Sequence, residues 1–142
     1  MSDKPLTAKD YPTAETRPEH VVGNRGRPLP ALTLDAVVSG NVEMEDLRIT
    51  PQALLQQAQI ASSVGRSALA GNLERAAEMT RIPQDEVMAI YELLRPGRAA
   101  SKASLLEAAQ RIRREWNAQN LADFVEEAAH FYEKRGLFRK RY

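Results

Sequence analysis

The sequence predicts an all-α fold, an irregular helical subunit with a proline-rich extended N-terminal arm. Three observations carry this. From Thr33 onward apolar residues recur at helical spacing, and no segment alternates with period two over a useful length. Prolines and glycines stand where helices start and stop. Five of the eight prolines (Pro5, Pro12, Pro18, Pro28 and Pro30) fall within residues 1–32. There each fixes φ and removes a backbone donor, which excludes a long helix or a central strand. The expected organisation is an arm over 1–32 and a helical domain over 33–142 with a short basic tail.

The arm carries Tyr11, Val21, Val22 and Leu29. Such spaced apolar anchors imply that it lies against a surface, either its own body or a partner. Beyond it, TLDAVVSG reads as a short helix capped by Thr33 and ended by Gly40. ITPQALLQQAQIA starts a longer helix with Thr50 as N-cap and Pro51 at the first helical position, and Leu54, Ala58 and Ala61 share a face. Gly65 breaks it. The next helix places Leu69, Leu73, Ala76 and Ala77 at helical spacing and stops before Pro83. Val87, Ile90, Tyr91 and Leu94 form an i, i+3, i+4, i+7 stripe that ends at Pro96-Gly97. Tyr91 and Leu94 are expected to anchor its inner side. Ser101 is the candidate cap of the last helical region. Leu105, Ala109, Ile112 and Trp116 form one stripe, and Leu121, Phe124, Val125, Ala128 and Phe131 form another. The two are out of phase, so a break is expected near Asn117–Asn120.

The 142 residues fit one domain. No aromatic residue lies between Tyr11 and Tyr91, so the first two thirds pack with aliphatic side chains alone. A core so thin implies that another chain completes the fold. The absence of cysteine excludes disulfides, zinc-thiolate sites and thiol catalysis. The N-terminus MSDKPLTAKDYP lacks a signal-peptide stretch, and no apolar run nears the roughly 20 residues that span a bilayer. A cytoplasmic protein without a membrane is the expectation. The net charge is +1, but the last ten residues hold five basic side chains against one acidic. A local contact with an acidic surface accounts for such a tail better than general nucleic-acid binding.

Candidate chemistry is sparse. Glu127 and His130 stand at the Glu-x-x-His spacing of di-iron bundles. No second copy exists, and the other histidine, His20, lies in the arm. RGRP at Arg25–Pro28 matches the core of a minor-groove hook, in one copy and without basic flanks. RIRREW at Arg111–Trp116 carries Glu107 and Glu115 as near neighbours of its arginines. Ser62, Ser63, Ser67 and Ser101 have no nearby histidine to activate them. GNRGR follows no strand and lacks the glycine spacing of a phosphate loop. No catalytic, cofactor-binding or metal-binding residue is expected in this chain. The rival readings are a free-standing nucleic-acid-binding helical protein, using RGRP and the basic C-terminal tail, and a helical metalloenzyme, using Glu127 and His130.

Collinear strings run from about Asp10 to Arg135: DYP, RPEHV, RPL, LTLDAVVSG, DLRITPQAL, QAQIA, ERAAEMT, IYELLRP and FVEEAAHFY. In this order they resemble the small (gamma) subunit of adenosylcobalamin-dependent diol dehydratase and glycerol dehydratase. The resemblance implies a non-catalytic subunit of a hydro-lyase that converts 1,2-propanediol, glycerol or ethanediol to the aldehyde through a substrate radical. It implies large (alpha) and medium (beta) subunits as partners, two of each subunit in the assembly. Adenosylcobalamin and a cation would be bound by those other subunits. Tyr11, Pro12, Val21, Leu29, Arg95 and Tyr132 are the expected partner-contact residues. Gly97-Arg98 stands where the family often has an aromatic and a basic residue. About nine residues precede Asp10, whereas some members carry a long extension that helps pack the enzyme into a bacterial microcompartment.

Overall fold

The computed structural model describes residues 4–138, so the tail residues Arg139, Lys140 and Arg141 lie outside the described part. The fold is all-α. The α-helices are α1 (Thr13–Thr16), α2 (Leu34–Val38), α3 (Met44–Leu47), α4 (Pro51–Ser63), α5 (Ser67–Met79), α6 (Gln84–Leu94), α7 (Lys102–Trp116) and α8 (Gln119–Lys134). Among the described residues the nearest thing to a strand is one isolated bridge between Val22 and Pro28. The chain divides into two compact units, the first ending at Ala77 and the second beginning at Glu78.

In the first unit the prolines act as expected. The described arm contains no helix longer than four residues, only α1 and 3-10 turns at Ala8–Asp10, Pro18–His20 and Leu29–Ala31. It lies on its own body, along α4. The Leu6 amide donates to Gln59 Oε1 at 2.9 Å and the Ala8 amide to Ser63 Oγ at 2.9 Å. Leu6 is buried. α4 starts as the sequence predicts, with Thr50 Oγ1 accepting from the Ala53 amide at 3.0 Å and Pro51 in the first turn. Thr33 caps α2 in the same way at 3.2 Å. Gly65 follows α4 at φ +76°, a left-handed geometry that suits glycine. One packed cluster joins Ala58, Ala61 and Ala70, with Leu73 against them, and Val42 and Leu54 are buried as well. On α5 the inward residues are Ala70 and Ala77, while Leu69 is exposed. Of the expected face, Leu73 and Ala77 turn inward, and Leu69 at its edge does not.

The second unit holds the substantial core. α7 and α8 form a hairpin whose seam contains Leu105, Ala109, Ile112, Ala118, Ala122, Val125 and Ala129, all fully excluded from water. Ser101 caps α7, accepting from the Ser104 amide at 3.3 Å. The predicted break falls at Asn117, the one described non-glycine residue with positive φ (52°), a conformation asparagine tolerates better than most. α8 has no local side-chain cap. Glu78 supplies one from far away in sequence: its carboxylate accepts from the amides of Asn120 at 3.0 Å and Leu121 at 2.7 Å. A carboxylate there satisfies orphan donors and meets the positive end of the helix dipole. Arg113, on α7, donates to Glu126 at 2.7 Å and Asp123 at 2.8 Å on α8. These bonds, Glu126 foremost, raise its guanidinium pKa further. Lys102 and Glu133 pair at 2.7 Å across the same two helices.

One inner-stripe expectation fails. Ile90 is buried and Val87 and Leu94 are half-buried, but Tyr91 is 56% exposed. A four-position stripe spans more arc than α6 buries, and its edge residue faces out. Tyr132 fills the expected place instead. It packs against the core and donates its hydroxyl to the Leu94 carbonyl.

Replacing Ile112 with Ala should lower the unfolding free energy by about 2–5 kcal/mol, the usual cost of a cavity in a filled core. Glu78→Ala should cost about 1 kcal/mol, as loss of a helix cap does. Denaturant unfolding followed by circular dichroism measures both.

Candidate docking surface

The first unit leaves much of its apolar material outside. Leu34 (77% exposed) and Val38 (79%) stand one helical turn apart on α2, with Val37 beside them. Met44 (70%) and Leu47 lie on α3, and Ile49 follows. Isolated exposed leucines are ordinary, but six large apolar side chains within sixteen residues mark an interaction surface.

Polar contacts hold this surface in place. α3 is a single turn and cannot persist by itself. Its Asp46 is 3% exposed, and the carboxylate gathers three donors. The Glu43 amide reaches Oδ2 at 2.9 Å, Arg25 Nη1 at 3.1 Å and Arg27 Nε at 3.5 Å. Arg25 also meets Glu43 Oε1 at 2.9 Å, and Asn24 donates to Glu45 at 2.9 Å. Gly23 brings its backbone so close that a Cβ there would lie 2.8 Å from the Asp46 carbonyl oxygen. The arginines of RGRP thus clamp the turn to Asp46.

A second knot orders the arm. Asp10 accepts from the Thr7 amide at 2.8 Å and from Arg17 at 3.2 Å. Arg17 also donates to Glu19 at 2.7 Å and to His20 Nε2 at 2.9 Å. A guanidinium only donates, so Nε2 accepts from Arg17, and His20 Nδ1 lies 3.3 Å from the side-chain Nε2 of Gln56 on α4. The Thr7 amide, with help from Arg17, lowers the Asp10 pKa, and Arg17 lowers that of Glu19.

This knot brings Tyr11, Pro12 and Val21 together at one groove of about 350 Å³ beside Gln56 of α4. Tyr11 is exposed and also borders a second groove of about 290 Å³ with Ile60 and Leu69. Leu29 is exposed elsewhere on the arm and does not line either groove. In the second unit Arg95 is exposed and paired with Glu92 at 3.0 Å, next to the carbonyl that Tyr132 engages. Tyr91, Met88 and Phe124 line an apolar groove of about 260 Å³ there.

The sequence matches a family model described as dehydratase small subunit over residues 6–139. The chain belongs to the dehydratase small-subunit family. It is 44% identical over 131 residues to the propanediol dehydratase small subunit of Citrobacter freundii, covering 91% of this chain and 76% of that one. It is 44% identical over 126 residues to the propanediol dehydratase small subunit of Salmonella typhimurium, covering 89% and 72%. Membership in a small-subunit family implies larger partner subunits, and the uncovered apolar side chains are consistent with one.

The other candidates resolve into ordinary structure. Glu127 and His130 of this dehydratase small subunit are exposed on α8. No cluster of three or more potential metal ligands occurs among the described residues. Arg111 pairs with Glu86 of α6 at 2.6 Å rather than with its helix neighbours. Ser63 spends its hydroxyl on the arm and on the Ile60 carbonyl. Among the described residues no helix is long and apolar enough to cross a membrane. The α2–α3 residues and the Asp46 clamp went unread in the sequence. A run of exposed apolar residues in short, period-free segments was the available signal.

Because the Asp10 pKa is lowered on folding, its contribution is complete above the ordinary value of 3.8 and is lost as pH falls through the lower folded value. Amide exchange over residues 7–17, corrected for intrinsic rates, should therefore accelerate below about pH 4 while α7 and α8 stay protected.

Proposed function

We propose that this chain is the non-catalytic small subunit of a coenzyme B12-dependent diol or glycerol dehydratase in the cytoplasm. It stabilises a complex with large and medium subunits, two of each kind, that dehydrates 1,2-propanediol, glycerol or ethanediol to an aldehyde by a radical route. The observation that carries the reading is the coincidence of collinear identity to propanediol dehydratase small subunits with an uncovered apolar surface on α2 and α3. The large subunit is the occupant that surface fits, since burying apolar area of this kind is what holds obligate subunits together.

In this reading Leu34, Val38, Met44 and Leu47 insert into the large subunit, and Tyr11, Pro12, Val21 and Leu29 extend the contact along the arm. Arg95 and Tyr132 mark a contact on the second unit. Adenosylcobalamin and the cation belong to the other subunits. The described residues of this chain offer no donor set for a cation, and the docking reading depends on neither group.

Co-expression of the three subunits, gel filtration and an aldehyde-formation assay test this. The chain should elute with the large and medium subunits, and the pure chain should show no turnover. Leu34→Ser with Val38→Ser should strip it from the assembly. Glu127→Gln with His130→Asn should leave assembled activity within a factor of about three, because exposed polar changes cost little. A free chain that stays monodisperse and never joins the large subunit would sink the proposal.

A further inference from the structure

We infer that Asp46 is the positioning residue of the docking surface: its buried carboxylate holds the Gly23–Arg27 turn against α3 and so sets how Met44 and Leu47 meet the partner. The inference rests on the docking reading above and goes further, by assigning the surface's order to a group that a docked partner need not touch.

Met44 and Leu47 project from a helix of one turn. Nothing in so short a helix fixes the direction of its side chains. The order must come from outside it. The Asp46 side chain is fully buried, with Arg25 and Arg27 converging on one oxygen and the Glu43 amide closing the turn on the same atom. The other oxygen, Oδ1, is buried without a partner. A buried carboxylate only half satisfied by hydrogen bonds depends on the charges of its two arginines. Removing its charge therefore releases both arginines at once, and with them the turn. Gly23 is the steric half of the same device. Its missing Cβ lets the turn approach the Asp46 backbone, where an alanine would meet the carbonyl oxygen at 2.8 Å. Charge and close approach thus act on the same four-residue helix, and its two exposed apolar side chains are what that helix offers.

The test is a double-mutant cycle in the co-expressed complex, read as the affinity of the small subunit for the large–medium assembly. Asp46→Asn should weaken it about tenfold or more, the scale of losing a buried charged partner. Amide exchange at 43–49 should accelerate while α7 and α8 remain protected. Met44→Ala with Leu47→Ala should weaken it comparably without altering exchange. In that background Asp46→Asn should add less than about threefold, since effects routed through the same contact do not add. Gly23→Ala is the second probe and the substitute if Asp46→Asn does not fold; it should reproduce both the loss of affinity and the faster exchange. If Asp46→Asn and Gly23→Ala each cost the same in both backgrounds, or neither weakens assembly, the positioning role is wrong. If Met44→Ala with Leu47→Ala leaves assembly intact, α3 is not a docking element. That outcome overturns the inference through the docking reading itself, and the cycle separates the two failures.

Discussion

The constraint on which the first unit depends is a small interior: Leu6, Val42 and Leu54 are its buried large aliphatic residues, and the packed cluster between its helices is made of alanine. Ala58, Ala61 and Ala70 make contacts close enough to exclude water, but each brings little more than a methyl group, worth about 0.8 kcal/mol of burial against about 1.5–3 for a leucine or isoleucine. So small an interior leaves much of the order of the surrounding loops and one-turn helices to other contacts. Polar contacts take over that work: Gln59 and Ser63 for the first residues of the arm, Arg17 for Asp10, Asp46 for the turn at Gly23. Leu34, Val38 and Met44 stay outside that interior. An exposed apolar set and a polar-stitched arm thus occur in the same unit.

The second unit shows the alternative. Leucine, isoleucine and valine at helical spacing meet alanines on a facing helix, and the seam between α7 and α8 closes completely. Charged residues there add orientation at the periphery. Arg113 ties the end of α7 to the start of α8, and Lys102 ties the opposite ends. These pairs run between neighbouring antiparallel helices, and their partial exposure limits what each contributes.

Legibility in the sequence followed the range of the interaction. Caps at Thr33, Thr50 and Ser101 are local and were readable from a few adjacent residues; the break near Asn117 was readable as a phase shift between two stripes, and its left-handed geometry was not. The stripe of α7 was readable because a long helix repeats its pattern; on α8 Leu121 and Val125 are buried as expected, but Phe124 and Phe131 are exposed, and Ala122 and Ala129 fill the seam instead. Tyr91 was misplaced because periodicity gives the width of an apolar stripe but not its depth. The four-residue helix α3 offers no period at all. Glu78 and Asp46 were invisible for a different reason: their partners lie some forty and twenty residues away, in segments where nothing marks the pairing.

The arginines show how this limit bears on function. RGRP and RIRREW both look like cationic motifs when read alone, and charge alone cannot tell a free guanidinium from an engaged one. In the fold, Arg25 and Arg27 face a buried carboxylate and Arg111 faces Glu86. At RGRP a phosphate would have to compete with the Asp46 carboxylate, which is already in place, buried and held by the Glu43 amide. Arg25, Arg27 and Arg111 therefore serve as structural supports. What stays outside on this unit is mixed: Lys9, Glu15, Asp35 and Glu43 are exposed along with Leu34, Val38, Met44 and Leu47. The apolar members of that set are the part whose removal from water would favour association with another chain.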